Sequence, residues 1–190
     1  MSRRLNKDGL LRSSPATIFT YGGGTIEPLD PDPEDITLEA IAHALSHQCR
    51  WTGHTLKFYS VAEHSVLVSE MEPSLEALLH DASEAYLADL ARPIKKAAGL
   101  GEVYLEVEAK LERAIAERFT LAWPMSKAVA FADDALLKQE AKTLVPHLGE
   151  LMPDPPEGTP AIHCWTPRSA ERAFVRRFKE LGGVELGGST

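Results

Sequence analysis

Four residues whose side chains can bind metals or move protons interrupt the apolar patterns of three predicted helices. His64 lies on one apolar face, His80 and Asp81 follow the apolar pair Leu78-Leu79, and Asp133 lies on a third apolar face. A buried carboxylate is costly unless it is paired or binds a metal. Two imidazoles with two carboxylates suit a divalent transition metal and leave coordination positions for water or substrate. One explanation of the pattern is therefore a metal site between three helices.

Each of these residues also has an ordinary structural explanation. A lone buried histidine such as His64 is most often a hydrogen-bonded core residue, and Asp133 alone could pair with an arginine. Consecutive helical residues point about 100° apart, so His80 and Asp81 can bind one ion only at the edge of their helix. Spacing alone leaves a metal site and a set of unrelated polar core residues equally open.

Two glutamates near this set are better explained by structure than by chemistry. Glu63 stands at capping-box spacing from Ser60, so Ser60 is expected to cap the helix while the Glu63 side chain reaches back to its start. Glu140, two turns after Asp133 on the same face, is expected to pair with a lysine or arginine. The remaining histidines that have no spacing requiring a chemical role are His43, His47, His147 and His163.

Capping residues and apolar periodicity divide most of the chain into helices. The helix after Ser60 is expected to end at about Met71, and the next is expected to run from Ser74 to about Tyr86 as one element. The other predicted starts are Thr37, Ser126 and Thr166, the last followed by Pro167 at N1 and Gly182 at C′. The first 35 residues predict loop with a short hairpin around residues 17–27. The fold class is mainly α, a compact single domain with a loop or short hairpin at its N-terminal end.

Composition limits the partners of such a domain. The 190 residues carry 20 Lys and Arg against 28 Asp and Glu, a formal charge of 20 − 28 = −8. Duplex DNA or an anionic membrane would need a basic face, and no basic stripe is evident in the sequence. No apolar stretch approaches the roughly 20 residues of a membrane span, and no apolar region follows the basic N-terminus. Two cysteines, Cys49 and Cys164, form neither a disulfide framework nor a zinc knuckle, so a cytoplasmic protein is expected.

The order His64, His80-Asp81, Asp133 resembles the H…HD…D signature of the HD-domain phosphohydrolases. Three segments resemble the short bacterial 5′-deoxynucleotidases and the phage dATP triphosphohydrolases of that family, and with the segment IEPLDPDPEDITLEAIAHALS the resemblance covers about residues 17–181. The three segments are CRWTGHTLKFYSVAEHSVLVS (49–69), LLHDASEAYLADLARPIKK (78–96) and VAFADDALLKQEA (129–141).

The resemblance implies a helical HD fold at residues 17–182, between a flexible segment (1–16) and a C-terminal tail (183–190). It implies one divalent ion, Zn, Co or Mn, and an additional Mg with a triphosphate substrate. The implied ligands of the divalent ion are His64, His80, Asp81 and Asp133.

The resemblance also assigns roles to residues beside the metal ligands. Glu84 would act as acid–base for the attacking water or the leaving group, and Asp89 would read the sugar hydroxyl. Arg50 and Trp51 would contact phosphate and sugar or base, and Lys95 would contact phosphate. His54 lies in a matching segment, where a phosphate contact and a hydrogen bond at the start of a helix are equally open.

The activity implied is removal of 5′-phosphates from deoxynucleotides by attack of a metal-activated water. Deoxynucleoside triphosphates such as dATP are the expected substrates, giving nucleoside plus triphosphate, and deoxynucleoside monophosphates are the alternative. A non-catalytic HD-type module that binds nucleotide or metal is the alternative of another class. The expected partners are a small nucleotide and further copies of the chain, with no nucleic-acid lattice and no membrane, in the cytoplasm of the cell or of a phage host.

Overall fold

The structure is a computed structural model and describes residues 16–184. The predicted N-terminal segment 1–16 and tail 183–190 lie outside the described residues, except for residues 16, 183 and 184. The fold is mainly helical, as predicted, with an antiparallel hairpin of β1 (Ile18–Phe19) and β2 (Thr25–Ile26) at its start.

Most helices follow one another with short connections, and longer segments join α1 to α2 (residues 48–60) and α8 to α9 (residues 150–166). Their bounds are α1 Leu38–His47, α2 Val61–Met71, α3 Leu75–Leu79, α4 Glu84–Leu87, α5 Arg92–Lys95, α6 Leu100–Phe119, α7 Lys127–Leu144, α8 Pro146–Gly149 and α9 Pro167–Glu180. Short 3₁₀ turns lie at Pro33–Asp35 and Trp51–Gly53.

Side-chain caps set the starts of five helices at residues that the sequence predicts, whereas α6 begins after Gly99 without one. Each capping hydroxyl accepts a hydrogen bond from the backbone N–H three residues later, which satisfies one of the unpaired donors of the first turn. These caps are Thr37, Ser60, Ser74, Ser126 and Thr166. Beyond the end of α9, Gly182 has φ +80°, the left-handed conformation expected of a glycine at C′.

Helix α2 lies at the centre of the packing. Every residue from Val61 to Ser69 is buried, because α1, α3, α7 and α9 all pack against this helix. One apolar cluster joins α1, α2, α6 and α9, and a second joins α2 to α3 and α7. A polar side chain on α2 is therefore enclosed whichever way it points.

The predicted single helix from Ser74 to Tyr86 is wrong, because the helix is interrupted. After α3 ends at Leu79, i→i+3 hydrogen bonds replace the i→i+4 pattern over residues 79–86, and α4 then begins at Glu84. His80 and Asp81 occupy this tighter turn, where their side chains reach one another with Nε2 and Oδ2 3.2 Å apart. The break removes the geometric objection to both residues binding one ion.

The expectation of no basic stripe is also wrong. Helix α9 carries four exposed cationic side chains along one face, interleaved with Glu171 and Glu180: Arg168, Arg172, Arg176 and Lys179. Their spacing follows the helical repeat, so the signal was present in the sequence as an i, i+4, i+8 pattern. None of the helices within residues 16–184 is long and apolar enough to span a bilayer.

Candidate metal centre

The four predicted metal ligands meet at one point between α2, the α3–α4 turn and α7. The Nε2 atom of His64 lies 3.2 Å from His80 Nε2, 3.3 Å from Asp133 Oδ1 and 3.5 Å from Asp81 Oδ2. Ligand atoms of His64, His80 and Asp81 all lie within 4.8 Å of one another, a spacing that can hold a metal ion. The two histidines are buried, whereas Asp81 and Asp133 keep about a fifth of their side-chain surface exposed. The cluster is therefore open on the carboxylate side.

Hydrogen bonds at the opposite ring atoms fix which nitrogen of each histidine faces the cluster. His64 Nδ1–H donates to Glu140 Oε1 at 2.6 Å, and His80 Nδ1–H donates to the Ala77 carbonyl at 2.8 Å. Both acceptors require the hydrogen on Nδ1, so the two Nε2 atoms would face each other as lone pairs. A proton or a cation must lie between them. These donor atoms fit a divalent transition metal.

The negative charges of the cluster carboxylates also favour a proton or a metal cation between the two histidines. Burial would lower the pKa of His80, but Asp81 and Asp133 outweigh it and raise that pKa to about 9. Burial would raise the pKa of Asp81, but His80 holds it well below its usual range. The carboxylates are thus ionised at neutral pH and attract either a proton on imidazole or a metal cation.

Glu140 orients His64 rather than only pairing with a cation. Its carboxylate is fully buried and accepts three hydrogen bonds: from His64 Nδ1, from Arg50 Nε at 3.2 Å and from Trp51 Nε1 at 3.1 Å. The predicted arginine partner is therefore present, and the contact with His64 is additional. A carboxylate behind a ligating imidazole fixes the ring and raises its basicity.

Arg50 and Trp51, predicted to contact substrate, both direct donors into this buried network. The Arg50 guanidinium also lies 3.2 Å from Asp81 Oδ2, so it bridges Glu140 and a predicted ligand. The turn that presents them is unusual, because Trp51, Thr52 and Gly53 all have positive φ values. Such strained backbone persists only where surrounding contacts hold it. A substrate contact by Arg50 or Trp51 stays a prediction.

Glu84, the predicted acid–base, is buried beside the cluster with an incomplete set of partners. Within residues 16–184 its Oε2 atom has no hydrogen-bond partner, and its Oε1 atom lies 3.5 Å from Lys95 Nζ. Burial, together with the negative charges of Asp81 and Asp89, raises the pKa of Glu84 well above its usual range. Burial and the neighbouring carboxylates therefore favour the protonated carboxyl, the form that can donate a proton.

Two further predicted site residues, Asp89 and Lys95, follow Glu84 along the chain. Lys95 is engaged by Glu108, whose Oε1 lies 2.7 Å from Lys95 Nζ. Asp89 is half-buried in the loop after α4, and its backbone N–H donates to the side chain of Gln48. Gln48 also donates to the Glu84 carbonyl, so it ties the two predicted catalytic residues together.

The structure brings one cation to the cluster that the sequence analysis did not single out. Arg92, the first residue of α5, donates from Nη2 to Asp133 Oδ2 at 2.8 Å. The two residues are 41 positions apart. Their pairing depends on where the packing of α5 on α6 places Arg92, which no local pattern reveals. The neighbouring Asp134 turns outward and pairs with Lys138, as the helical geometry predicts.

The predicted capping box at Glu63 is half wrong. Ser60 caps α2 as expected, but the Glu63 carboxylate turns toward the loop before α9 instead of reaching back to Ser60. There it accepts backbone hydrogen bonds from the N–H groups of His163, Cys164 and Trp165, at 2.6–2.9 Å. Glu63 is therefore a buried structural anchor for that loop.

Comparison with known proteins identifies relatives. No family model matches the chain. It is 38% identical over 156 residues to the uncharacterized protein YfdR of Escherichia coli (strain K12), across 78% of this chain and 85% of YfdR. It is 40% identical over 138 residues to the uncharacterized protein RCAP_rcc00048 of Rhodobacter capsulatus, across 64% of this chain and 69% of that protein. The chain belongs to the family that contains YfdR and RCAP_rcc00048.

Proposed function

We propose that the protein is a metal-dependent phosphohydrolase of the HD-domain type that removes 5′-phosphates from deoxynucleotides. The observation that carries the proposal is the meeting of two Nε2 atoms and two carboxylates from three separate parts of the chain, with Glu84 buried beside them. The resemblance of the segments around these residues to the short HD-domain nucleotide phosphohydrolases supports the same activity.

The ligands and the residues around them have distinct tasks in this proposal. His64, His80, Asp81 and Asp133 would hold one Zn, Co or Mn ion. Such an ion polarises a phosphoryl oxygen and lowers the pKa of bound water toward about 7. Glu140 keeps the His64 ring in the tautomer that presents Nε2.

Glu84 would supply the proton for the leaving group. Burial and the neighbouring carboxylates raise the pKa of Glu84, which favours its protonated form, and its Oε2, unpartnered within residues 16–184, can face a bound molecule without first breaking a hydrogen bond. General acid catalysis of this kind contributes roughly 10²–10⁴-fold. A buried carboxyl with one oxygen left without a hydrogen-bond partner is costly in a protein that only binds nucleotide, so Glu84 favours an enzyme over the non-catalytic alternative.

The substrates proposed are deoxynucleoside triphosphates such as dATP, cleaved to nucleoside plus triphosphate, with an additional Mg ion on the phosphates. The phage-like N-terminal third of the chain supports this choice over monophosphates. Asp89, in the loop next to Glu84, would read the sugar hydroxyl.

The experiment is a product assay on deoxy- and ribonucleoside mono- and triphosphates, with Mn²⁺, Co²⁺ and Zn²⁺ added separately. Wild-type protein should release phosphate or triphosphate from deoxynucleotides with at least one metal, while Asp133→Ala should not. Asp134→Ala is the matched control, since Asp134 is the adjacent carboxylate outside the cluster. Metal-loaded wild-type protein that hydrolyses no nucleotide would contradict the proposed function.

A further inference from the structure

Among the described residues, three cationic side chains lie at the candidate metal centre, and two of them are each paired with two carboxylates. Arg50 is about nine-tenths buried and lies between Glu140 and Asp81. The Lys95 ammonium is also mostly buried and lies between Glu108 and Glu84. A charge neutralised from two sides attracts an incoming anion only weakly.

Arg92 differs from both in exposure and in the number of its partners. Its side chain is 54% exposed, and its bond to Asp133 uses one of the five N–H donors of the guanidinium. Within the described part of the chain, no second acceptor bonds to this side chain. Arg92 therefore keeps free donors at the open edge of the cluster.

The bond to Asp133 holds Arg92 there without blocking the metal ligand. Asp133 directs Oδ1 toward His64 Nε2 and Oδ2 toward Arg92, so one carboxylate can bind a cation and a guanidinium together. Its two oxygens provide enough acceptor sites for both. The Asp133 carboxylate thus lies between the Arg92 guanidinium and the proposed position of the ion.

Backbone packing fixes the helix that carries Arg92. A Cβ on Gly101 of α6 would lie 2.3 Å from the carbonyl oxygen of Lys95, so α5 rests directly on the α6 backbone at a position where only glycine fits. Pro93 further restricts the first turn of α5. The placement of Arg92 is therefore determined by close contact between two helices.

We propose that Arg92, rather than Arg50 or Lys95, binds the anionic oxygens of a phosphoryl group at the metal centre. A planar guanidinium with several free donors matches two oxygens of a phosphate at once. The inference rests on the proposed function for the presence of a metal ion. Its ligand chemistry is a tetrahedral phosphate, supplied either as free inorganic phosphate or as the phosphoryl end of a nucleotide.

The test measures binding and turnover on full-length Arg92→Gln, Arg92→Lys and the control Arg176→Gln, an exposed arginine on α9. Calorimetry with Mn²⁺ alone measures the metal affinity of each variant, so that phosphate is titrated only into protein at saturating Mn²⁺. Titration of inorganic phosphate into the Mn²⁺-loaded proteins should show about tenfold or greater weakening in Arg92→Gln, the loss expected for one charged donor. Arg92→Lys should recover part of that loss, and Arg176→Gln should bind phosphate as wild type does.

Turnover distinguishes failure of this inference from failure of the proposed function. On a hydrolysed nucleotide, Arg92→Gln should raise KM about as much as it weakens phosphate binding. Wild-type phosphate affinity in Arg92→Gln, or no phosphate binding by Mn²⁺-loaded wild-type protein, would overturn the role of Arg92 even if nucleotides are hydrolysed. Arg92-dependent phosphate binding without hydrolysis of any nucleotide would support the anion site and contradict the proposed activity.

Discussion

Glu63 and His64 are neighbours on α2, equally buried, and the structure uses them in opposite ways. The Glu63 carboxylate accepts three backbone N–H groups from residues 163–165 and needs nothing more. His64 has one ring nitrogen bound by Glu140, while the other faces three potential metal ligands. Burial of a polar residue therefore does not identify a functional site. What distinguishes the two residues is whether the folded chain alone completes their hydrogen bonding.

The largest expected effect comes from removing one of the predicted metal ligands that His64 faces. Asp81→Ala should lower metal affinity by more than about 100-fold, because even outer partners of metal ligands are worth roughly 10–100-fold. Hydrolysis of nucleotides should be lost with it. Calorimetry with Mn²⁺ measures the first effect, and circular dichroism checks that the variant is folded. Asp81→Ala protein with wild-type metal affinity would remove Asp81 from the ligand set.

The second prediction concerns the carboxylate that orients His64. Glu140→Gln should weaken metal binding by roughly 10–100-fold while leaving all four ligands in place. The neutral amide is a poorer acceptor for His64 Nδ1–H, so the ring loses its fixed tautomer and part of its basicity. The same calorimetric titration measures the loss, with Asp134→Ala as the control. An unchanged affinity would mean that Glu140 serves only to pair Arg50 and Trp51.

The third prediction concerns Glu63, the structural residue of the pair, and its effect on stability. Glu63→Gln places an amide N–H₂ against backbone donors and should lower the free energy of unfolding by about 1–3 kcal/mol. Urea denaturation measures this change. Metal affinity should stay at the wild-type value, since the Glu63 side chain faces the loop at 163–165. A loss of metal binding in folded Glu63→Gln protein would contradict a purely structural role for Glu63.

The smallest effect is expected at the start of the same helix. Ser60→Ala removes the hydroxyl that accepts the Glu63 N–H and should cost about 1 kcal/mol of stability. The midpoint of urea unfolding should fall without a change in its slope. Ser60→Thr keeps a capping oxygen and provides the matched comparison. Equal stability of the alanine variant and wild type would show that the cap contributes nothing to α2.

The sequence was sufficient for features that depend on local order along the chain. The caps at Thr37 and Ser126 follow from hydroxyl chemistry, and the divergence of Asp133 and Asp134 by about 100° follows from the 3.6-residue repeat. The interruption at His80 was not predictable in this way, because a few i→i+3 bonds leave the apolar pattern almost unchanged. That interruption decides how His80 and Asp81 share one point.

Contacts between distant segments were the other part that could not be predicted. Arg92 and Asp133 are 41 positions apart, and Glu63 reaches residues about 100 positions away. A capping box and a buried anchor require the same residue, glutamate, at the same position. Only the packing of the loop before α9 decides between them.

The enclosure of α2 by its neighbours has a consequence for motion. Amide hydrogens in a helix buried on every side exchange with solvent only when the molecule unfolds as a whole. His64 therefore keeps its place for as long as the protein stays folded. Helix α5 is a single turn with exposed side chains at residues 92–94, so its amides should exchange faster than those of α2 even though it rests on Gly101 of α6. The ion would thus be bound within the most protected part of the fold, and the phosphate would meet an arginine held by one close helix contact.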